Sequence, residues 1–241
     1  MINQKSLLTG RTKIETAIAR IAELTAGKKI IVGFSGGKDS TVILDLTARA
    51  GIDFTAEYRV VGIDPPEVVN FVKRIGAKFS YPQLNWWKLL KKNKGILPNR
   101  FMRYCCRELK ETPPSNGSML LTGIRWAESA ARSARSMTEA CRTGGGHYLN
   151  PIIDWSDEDV WSYIKSRNLS YCSLYDEGWK RCGCMACPLK SENLRERDFQ
   201  RWPWFREKMV KFLLKLNTET NASDKIKHFQ SLWLHVPTTE L

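Results

Sequence analysis

The stretch KIIVGFSGGKDSTVILDLTARA, residues 29–50, decides the fold. Residues 29–34 are short, apolar and β-branched, which is the composition of a buried strand. Residues 35–40, Ser-Gly-Gly-Lys-Asp-Ser, make a Gly-rich turn, and 39–50 read as a helix stopping at Gly51. A strand that enters a helix through such a turn aims the helix's first N–H groups at an anion. Gly36 and Gly37 let the backbone approach that anion without a Cβ in the way. Ser35 and Ser40 add hydroxyl donors, and Lys38 adds charge. Asp39 disfavours a bare phosphate, so it implies a bridging Mg²⁺. The GxxxxGK[ST] pattern of a Walker loop is absent. At average residue usage, S-G-G-x-D-S would arise by chance in such a chain on the order of once in 10⁴.

The flanking sequence alternates strands and helices. Ile14, Ala17, Ile18, Ile21 and Leu24 recur at helical spacing within 11–26, and Gly27 is a stop. Residues 57–63 read as a second strand, broken by Asp64-Pro65-Pro66 and followed by a helix with Pro66 near its start. Residues 118–123 read as a third strand and 148–153 as a fourth. A helix over 156–168 opens on Ser156 as N-cap, with Glu158 and Asp159 in its first turn. This order predicts an α/β fold with a doubly wound, mostly parallel sheet. From about residue 190 the chain is helical, basic and Trp-rich. The expected division is a nucleotide-binding α/β domain over 1–190 and a helical basic C-terminal appendage over 191–241. Between them in character lies a long basic loop, 91–117.

Composition narrows the function class. The 241 residues are 42% hydrophobic and 26% charged, which excludes a disordered, fibrous or collagen-like chain. No run approaches eighteen apolar residues, so no membrane span is expected. The opening MINQKSLLTGRTK has no apolar leader core, which makes the cytoplasm the expected location. A net charge of +13 favours polyanions such as nucleotides or nucleic acid; a solvated cationic surface is the plainer alternative. Trp86, Trp87, Trp202 and Trp204 lie near Lys and Arg and are candidates for base stacking or for core packing. His147, His228 and His235 are scattered and form no catalytic constellation.

Seven cysteines fall at 105, 106, 141, 172, 182, 184 and 187. Tight clusters in a cytosolic chain read as metal or redox sites rather than disulfides. Cys105-Cys106 sits among Arg100, Arg103, Arg107 and Lys110, cations that favour thiolates. Cys184-Met-Ala-Cys187 is a C-x-x-C, which puts two thiolates on one ion or cluster. Cys182 reads as an alternative ligand or a spare, Cys172 as core, and Cys141 as a thiol in a flexible cationic stretch.

SGGKDS resembles the PP-loop of ATP pyrophosphatases and of the adenine nucleotide α-hydrolase-like fold. Within that group the chain is most similar to the phosphoadenosine phosphosulfate (PAPS) reductase family. The resemblance extends through Gly62-Ile63-Asp64 with Pro66-Glu67, through Thr122-Gly123-Ile124-Arg125 with Glu128-Ser129 and Arg132, and through 150–155. It covers about residues 28–190. It implies that Ser35, Gly36, Gly37, Lys38, Asp39, Ser40, Asp64, Gly123, Arg125 and Arg132 hold ATP or a sulfonucleotide with Mg²⁺. It makes Asp39, Lys38 and Arg125 the catalytic residues. Guanidinium groups are bidentate towards phosphate, although Arg125 and Arg132 have salt bridges to Glu128 or Glu139 as the alternative. Asp64 stands at a strand's carboxyl end, where ligands bind in open α/β sheets; a turn cap is its alternative. The adjacent cysteines with the distant C-x-x-C resemble the 4Fe–4S ligand set of adenosine phosphosulfate reductases, at Cys105, Cys106, Cys184 and Cys187. Zinc fits the same ligand type, unligated or disulfide-bonded cysteines are the remaining alternative, and the adjacency of Cys105 and Cys106 leans towards the cluster.

Sulfonucleotide reductases carry a nucleophilic cysteine in a C-terminal tail, and no cysteine follows Cys187 here. The expected function is therefore an ATP pyrophosphatase-type enzyme. It would adenylate an acceptor oxygen so that sulfur displaces AMP. It would be similar to DNA phosphorothioation sulfur-transfer proteins and tRNA-thiolating enzymes. The partners implied are a nucleotide, a DNA or tRNA acceptor and a sulfur-donor protein, with oligomerisation open. Two alternatives stand beside it. One is a PAPS or adenosine phosphosulfate reductase using an external thiol or Cys141. The other is a non-catalytic nucleotide-binding subunit of a DNA-modification or defence complex.

Overall fold

Six strands form one sheet in a computed structural model that describes residues 2–6, 9–111 and 113–241. They are β1 (Lys29–Gly33), β2 (Phe54–Arg59), β3 (Lys78–Ser80), β4 (Ser118–Leu121), β5 (Thr138–Ala140) and β6 (His147–Leu149). Their order is β3-β2-β1-β4-β6-β5, parallel throughout except for the β5–β6 pair. The helices are α1 (Lys13–Leu24), α2 (Lys38–Arg49), α3 (Pro66–Ile75), α4 (Trp86–Lys92), α5 (Tyr104–Leu109), α6 (Ala130–Ser133), α7 (Asp157–Ser166), α8 (Glu192–Arg201), α9 (Pro203–Thr220) and α10 (Asp224–Leu234). This is the doubly wound, mostly parallel α/β architecture expected, with a helical C-terminal part.

The chain divides into two compact units. The first comprises Met1–Arg59, Pro66–Ser80 and Pro113–Cys182 and contains the sheet. Its core joins Ile30 and Val32 of β1 to Ala17 and Ile21 of α1, Val42, Ile43 and Leu46 of α2, and Val160 and Ile164 of α7. Each of the Val, Leu and Ile side chains, fully buried, contributes about 1.5–3 kcal/mol. Two capping boxes start the covering helices, Thr12 with Glu15 on α1 and Ser156 with Asp159 on α7. Lys13 then pairs with Asp159, and Arg20 grips Asp154 through two contacts of 2.8 and 3.1 Å.

The strand order positions the site. The chain runs from β1 to β2 on one side, and β4 later joins β1 on the other. The carboxyl ends of β1 and β4 therefore flank a switch point, where open α/β sheets bind ligands. The segments leaving those two ends are 34–38 and 122–125.

Three local readings change. The second strand is Phe54–Arg59 rather than 57–63, because Val61 and Gly62 turn their N–H groups to Asp64 Oδ2 (2.9 and 3.3 Å). The strand expected over 148–153 is His147–Leu149. Pro151 has no N–H to offer the ladder, and Ile153 and Trp155 bond back to Asn150 and Ile152 in turns. The basic segment 91–117 is not a plain loop, since it contains α5 with Cys105 and Cys106.

The second unit comprises Val60–Pro65, Tyr81–Thr112 and Gly183–Leu241. Trp86, Leu89, Leu109, Phe199, Trp202, Phe205, Met209, Leu213 and Trp233 are buried in it. Its C-terminal helices hold the C-x-x-C turn. Asp198 of α8 accepts the Ala186 N–H (2.6 Å), and Trp233 Nε1 of α10 donates to the Ala186 carbonyl (2.9 Å). Met185 N–H donates to Ile63 O (2.9 Å). These bonds fix Ala186 at a φ of 42°, a left-handed conformation that a residue with a Cβ seldom adopts. Trp87 packs on Phe205 and Phe212. Of the four tryptophans considered for stacking, Trp204 alone is largely exposed.

Candidate active site

The 35–40 loop is built for an anion. Gly37 caps α2 in an extended conformation, and its carbonyl accepts Ser40 Oγ (2.8 Å) and Thr41 N–H (3.0 Å). The Ser40 oxygen in turn accepts the Ser35 N–H (3.2 Å), which closes the loop on itself. The first N–H groups of α2 have no partner inside the helix and point out of its end. Gly36 sits at φ 73°, and a Cβ there would come within 2.9 Å of Val68. Both facts exclude any other residue.

Asp39 is held in a four-charge network. Arg125 Nε donates to Asp39 Oδ1 at 2.7 Å, and Lys38 Nζ lies 3.1 Å from Asp39 Oδ2. Asp157 Oδ1 bridges the same two cations, at 3.1 Å from Lys38 Nζ and in hydrogen bond with Arg125 Nη2. Arg125 Nη1 donates to the Trp155 carbonyl (3.2 Å). Arg125 is thus 1% exposed with every side of its guanidinium spent on protein acceptors. In this arrangement it orients Asp39. Burial works against its charge, and Asp39 and Asp157 more than restore it, so its pKa is raised. Burial likewise opposes ionisation of Asp157, and the bonds from Lys38 and Arg125 outweigh it, so its pKa is lowered.

Gly123 brings the β4 edge against this loop. A Cβ there would stand 2.8 Å from Asp39 Cβ and 2.9 Å from its backbone carbon. Gly123→Ala is therefore expected to push Asp39 out of register. It should cost about 1–3 kcal/mol of stability and abolish nucleotide binding, measured by thermal unfolding and by equilibrium binding of Mg·ATP.

Arg132, the other candidate clamp, pairs with Glu128, which also accepts the Arg125 N–H (3.1 Å) and lies 3.5 Å from Arg181. Two site residues were not read from the sequence. Asp157 follows the α7 N-cap and reads as one of several first-turn acids. Tyr175, in a 3₁₀ turn (Ser173–Tyr175), accepts the Lys38 N–H at its hydroxyl (2.9 Å).

Residues 29–190 match the profile of the phosphoadenosine phosphosulfate reductase domain. The chain belongs to that family. An adenosine 5'-phosphosulfate reductase of Neisseria meningitidis serogroup B is 29% identical over 185 residues, 69% of this chain and 74% of that protein. An uncharacterized protein of Methanocaldococcus jannaschii is 31% identical over 194 residues. The match takes in 72% of this chain and 46% of that relative, so the chain spans about half of it. Among solved structures, a phosphoadenylyl-sulfate reductase from Candida auris aligns with a TM-score of 0.50 at 19% identity, over 74% of this chain and 90% of that one. At that identity the likeness speaks for the fold alone. The PAPS reductase family is one of enzymes, and the matched region includes the SGGKDS segment.

The four cysteines of the family-like ligand set all lie in the second unit. Cys105 and Cys184 are buried, Cys106 and Cys187 half-buried. Cys105 Sγ lies 4.0 Å from Cys106 Sγ. The hydrogen bond to Cys106, then burial, then the charges of Cys106, Cys187 and Cys184 push the Cys105 thiol up. Lys110 donates to Cys184 and feels Asp64 and Cys106, which keeps its ammonium charged. Asp64 itself caps the 61–64 turn. Among the described residues no three His, Cys, Asp or Glu side chains gather closely enough for one metal ion. Arg103 is hydrogen-bonded to Cys106 and Lys110 to Cys184, so each pair of cysteines has a cation beside it. Among the described residues no helix is long and apolar enough to cross a membrane.

Proposed function

We propose that this chain binds Mg·ATP on the 35–40 loop, cleaves it between the α- and β-phosphates, and adenylates an acceptor oxygen that sulfur then replaces. The observation that carries this is the Asp39 carboxylate, fixed by Arg125 and Lys38 at the anion-binding end of α2. Lys38 and Arg125 are neutralised by Asp39 and Asp157, so the phosphates must bring their own counter-charge. Asp39 would help hold a divalent cation, which would supply that counter-charge. The α2 N–H groups and the Ser35 hydroxyl then hold the leaving pyrophosphate in line.

Cys105, Cys106, Cys184 and Cys187 would hold a 4Fe–4S cluster, which when bound would supply electron transfer. The Asp198 and Trp233 bonds keep the C-x-x-C turn ready for it. Cys184→Ala is expected to remove iron and acid-labile sulfide from anaerobically purified protein while circular dichroism stays unchanged. Iron content equal to wild type would take Cys184 out of the ligand set. The acceptor proposed is nucleic acid, in keeping with the +13 charge, and its binding should weaken steeply with salt.

The names of relatives from Neisseria and Staphylococcus favour a second reading, reduction of adenosine 5'-phosphosulfate. Two parallel assays separate them. ATP with tRNA or DNA is read for AMP and pyrophosphate, and adenosine 5'-phosphosulfate with dithiothreitol is read for sulfite. Sulfite without ATP cleavage would replace the first reading with the second.

A further inference from the structure

Residues 91–107, all within the second unit, carry six cations and no acid. Three of the six are committed: Lys91 to Glu219 (2.8 Å), Arg107 to Glu108 (3.6 Å) and Arg103 to Cys106. Lys92, Lys94 and Arg100 are exposed, and among the described residues no carboxylate pairs with them. The same segment displays Phe101, which at 99% exposure is the most exposed large apolar side chain among the described residues. A single exposed apolar side chain is common on protein surfaces; what sets Phe101 apart is the turn beneath it. Asn99 Oδ1 accepts the N–H groups of both Phe101 and Met102 (2.9 and 2.8 Å), and the Asn99 N–H donates to the Met102 carbonyl (3.2 Å). Tyr104 closes one end of the segment by donating its hydroxyl to the Ile96 carbonyl (2.5 Å). Gln230 of α10 holds the other end, with Nε2 donating to the Gly95 carbonyl (2.9 Å). The ring is thus presented to solvent on an anchored tip, and such a tip loses little conformational freedom when a ligand docks.

We infer that the 92–103 segment is a docking surface for single-stranded nucleic acid, with Phe101 stacked on an unpaired base and Lys92, Lys94 and Arg100 facing the phosphates. This rests on the nucleic-acid acceptor proposed above and gives that acceptor a form. The charge decides the class of partner. An apolar pocket on a protein would take Phe101 but would leave three cations without counter-charge around it. The phosphates of a strand supply that counter-charge, and every base offers a face to an aromatic ring. Base stacking decides the form. Within a duplex both faces of a base are covered by its neighbours, so the ring needs a base that is unpaired and splayed out.

The test is equilibrium binding by the full chain, purified anaerobically. A fluorescein-labelled single strand of about 15 nucleotides and its duplex are titrated separately and read by anisotropy over a range of salt. Phe101→Ala should weaken single-strand binding roughly tenfold and leave duplex binding within about twofold. The slope of log affinity against log salt should stay as in wild type, because no charge is removed. Arg100→Ala should reduce that slope by about 0.7, the share of one phosphate contact on a single strand. Phe101→Trp should bind the strand as tightly as wild type or more so, because any large ring can stack. Heparin brings the charge without the bases, so its binding should be indifferent to Phe101→Ala. Equal losses on strand, duplex and heparin would overturn the stacking role. Single-strand binding untouched by Phe101→Ala would overturn the docking surface and leave the nucleic-acid acceptor standing. A wild-type chain that binds no strand at low salt would overturn both. Cleavage of ATP to AMP and pyrophosphate is read separately and bears on the adenylation reading alone.

Discussion

Asp39→Asn should lower Mg²⁺-dependent nucleotide cleavage by about 10²–10³-fold, since a metal-held charge contributes several kcal/mol to such a transition state. Asparagine keeps the size of the side chain and can still accept from Arg125 Nε. The loop bonds through Gly37 and Ser40 do not involve the carboxylate, so the turn persists. What is lost is the negative charge that draws a divalent cation to the loop. Titrating Mg²⁺ at fixed ATP reads this directly, with the variant failing to saturate. Wild-type turnover by Asp39→Asn would remove Asp39 as a metal-bridging residue.

Arg125→Met should destabilise the protein by about 3–5 kcal/mol, the usual effect of removing one partner from a buried ionic network. Arg125 is 1% exposed and serves Asp39, Asp157 and the Trp155 carbonyl together. Without it, two carboxylates share Lys38 alone, and the carbonyl loses its donor. Arg125→Lys should recover little, because an ammonium cannot reach three acceptors in one plane. Arg132→Ala offers the contrast. Its guanidinium is a third exposed and pairs with Glu128 within one turn, so about 1 kcal/mol or less is expected. Urea unfolding of the three variants separates these outcomes. Equal destabilisation by Arg125→Met and Arg132→Ala would contradict the central place given to Arg125.

The strand, turn and helix around the 35–40 loop were legible because they are local. Strand, glycine turn and helix are consecutive in 29–50, and each signal reinforces the next. The strands missed from sequence, β3 and β5, are three residues each and lie at the sheet edges, where pairing by a neighbour rather than side-chain pattern makes a strand. Residues 91–117 hid α5 because six residues show too little periodicity among so many cations. The part of the site that depends on distant pairing was least visible. Arg125 could be named from its motif, but its commitment to Asp39 and Asp157 requires the β4 and α7 ends to meet at the switch point. Tyr175, whose hydroxyl accepts the Lys38 N–H, is of the same kind. Cys172 read as core, as its burial bears out.

The most direct test of the account is the position at which ATP is cut. ATP labelled separately at the α- and γ-phosphates is incubated with the full chain, Mg²⁺ and tRNA or DNA, and the labelled products are resolved. The account predicts α-label in AMP or in an adenylated acceptor and γ-label in pyrophosphate, in equal amounts and lost together in Asp39→Asn. Label appearing as ADP and inorganic phosphate, or intact ATP beside sulfite release from adenosine 5'-phosphosulfate, would contradict it.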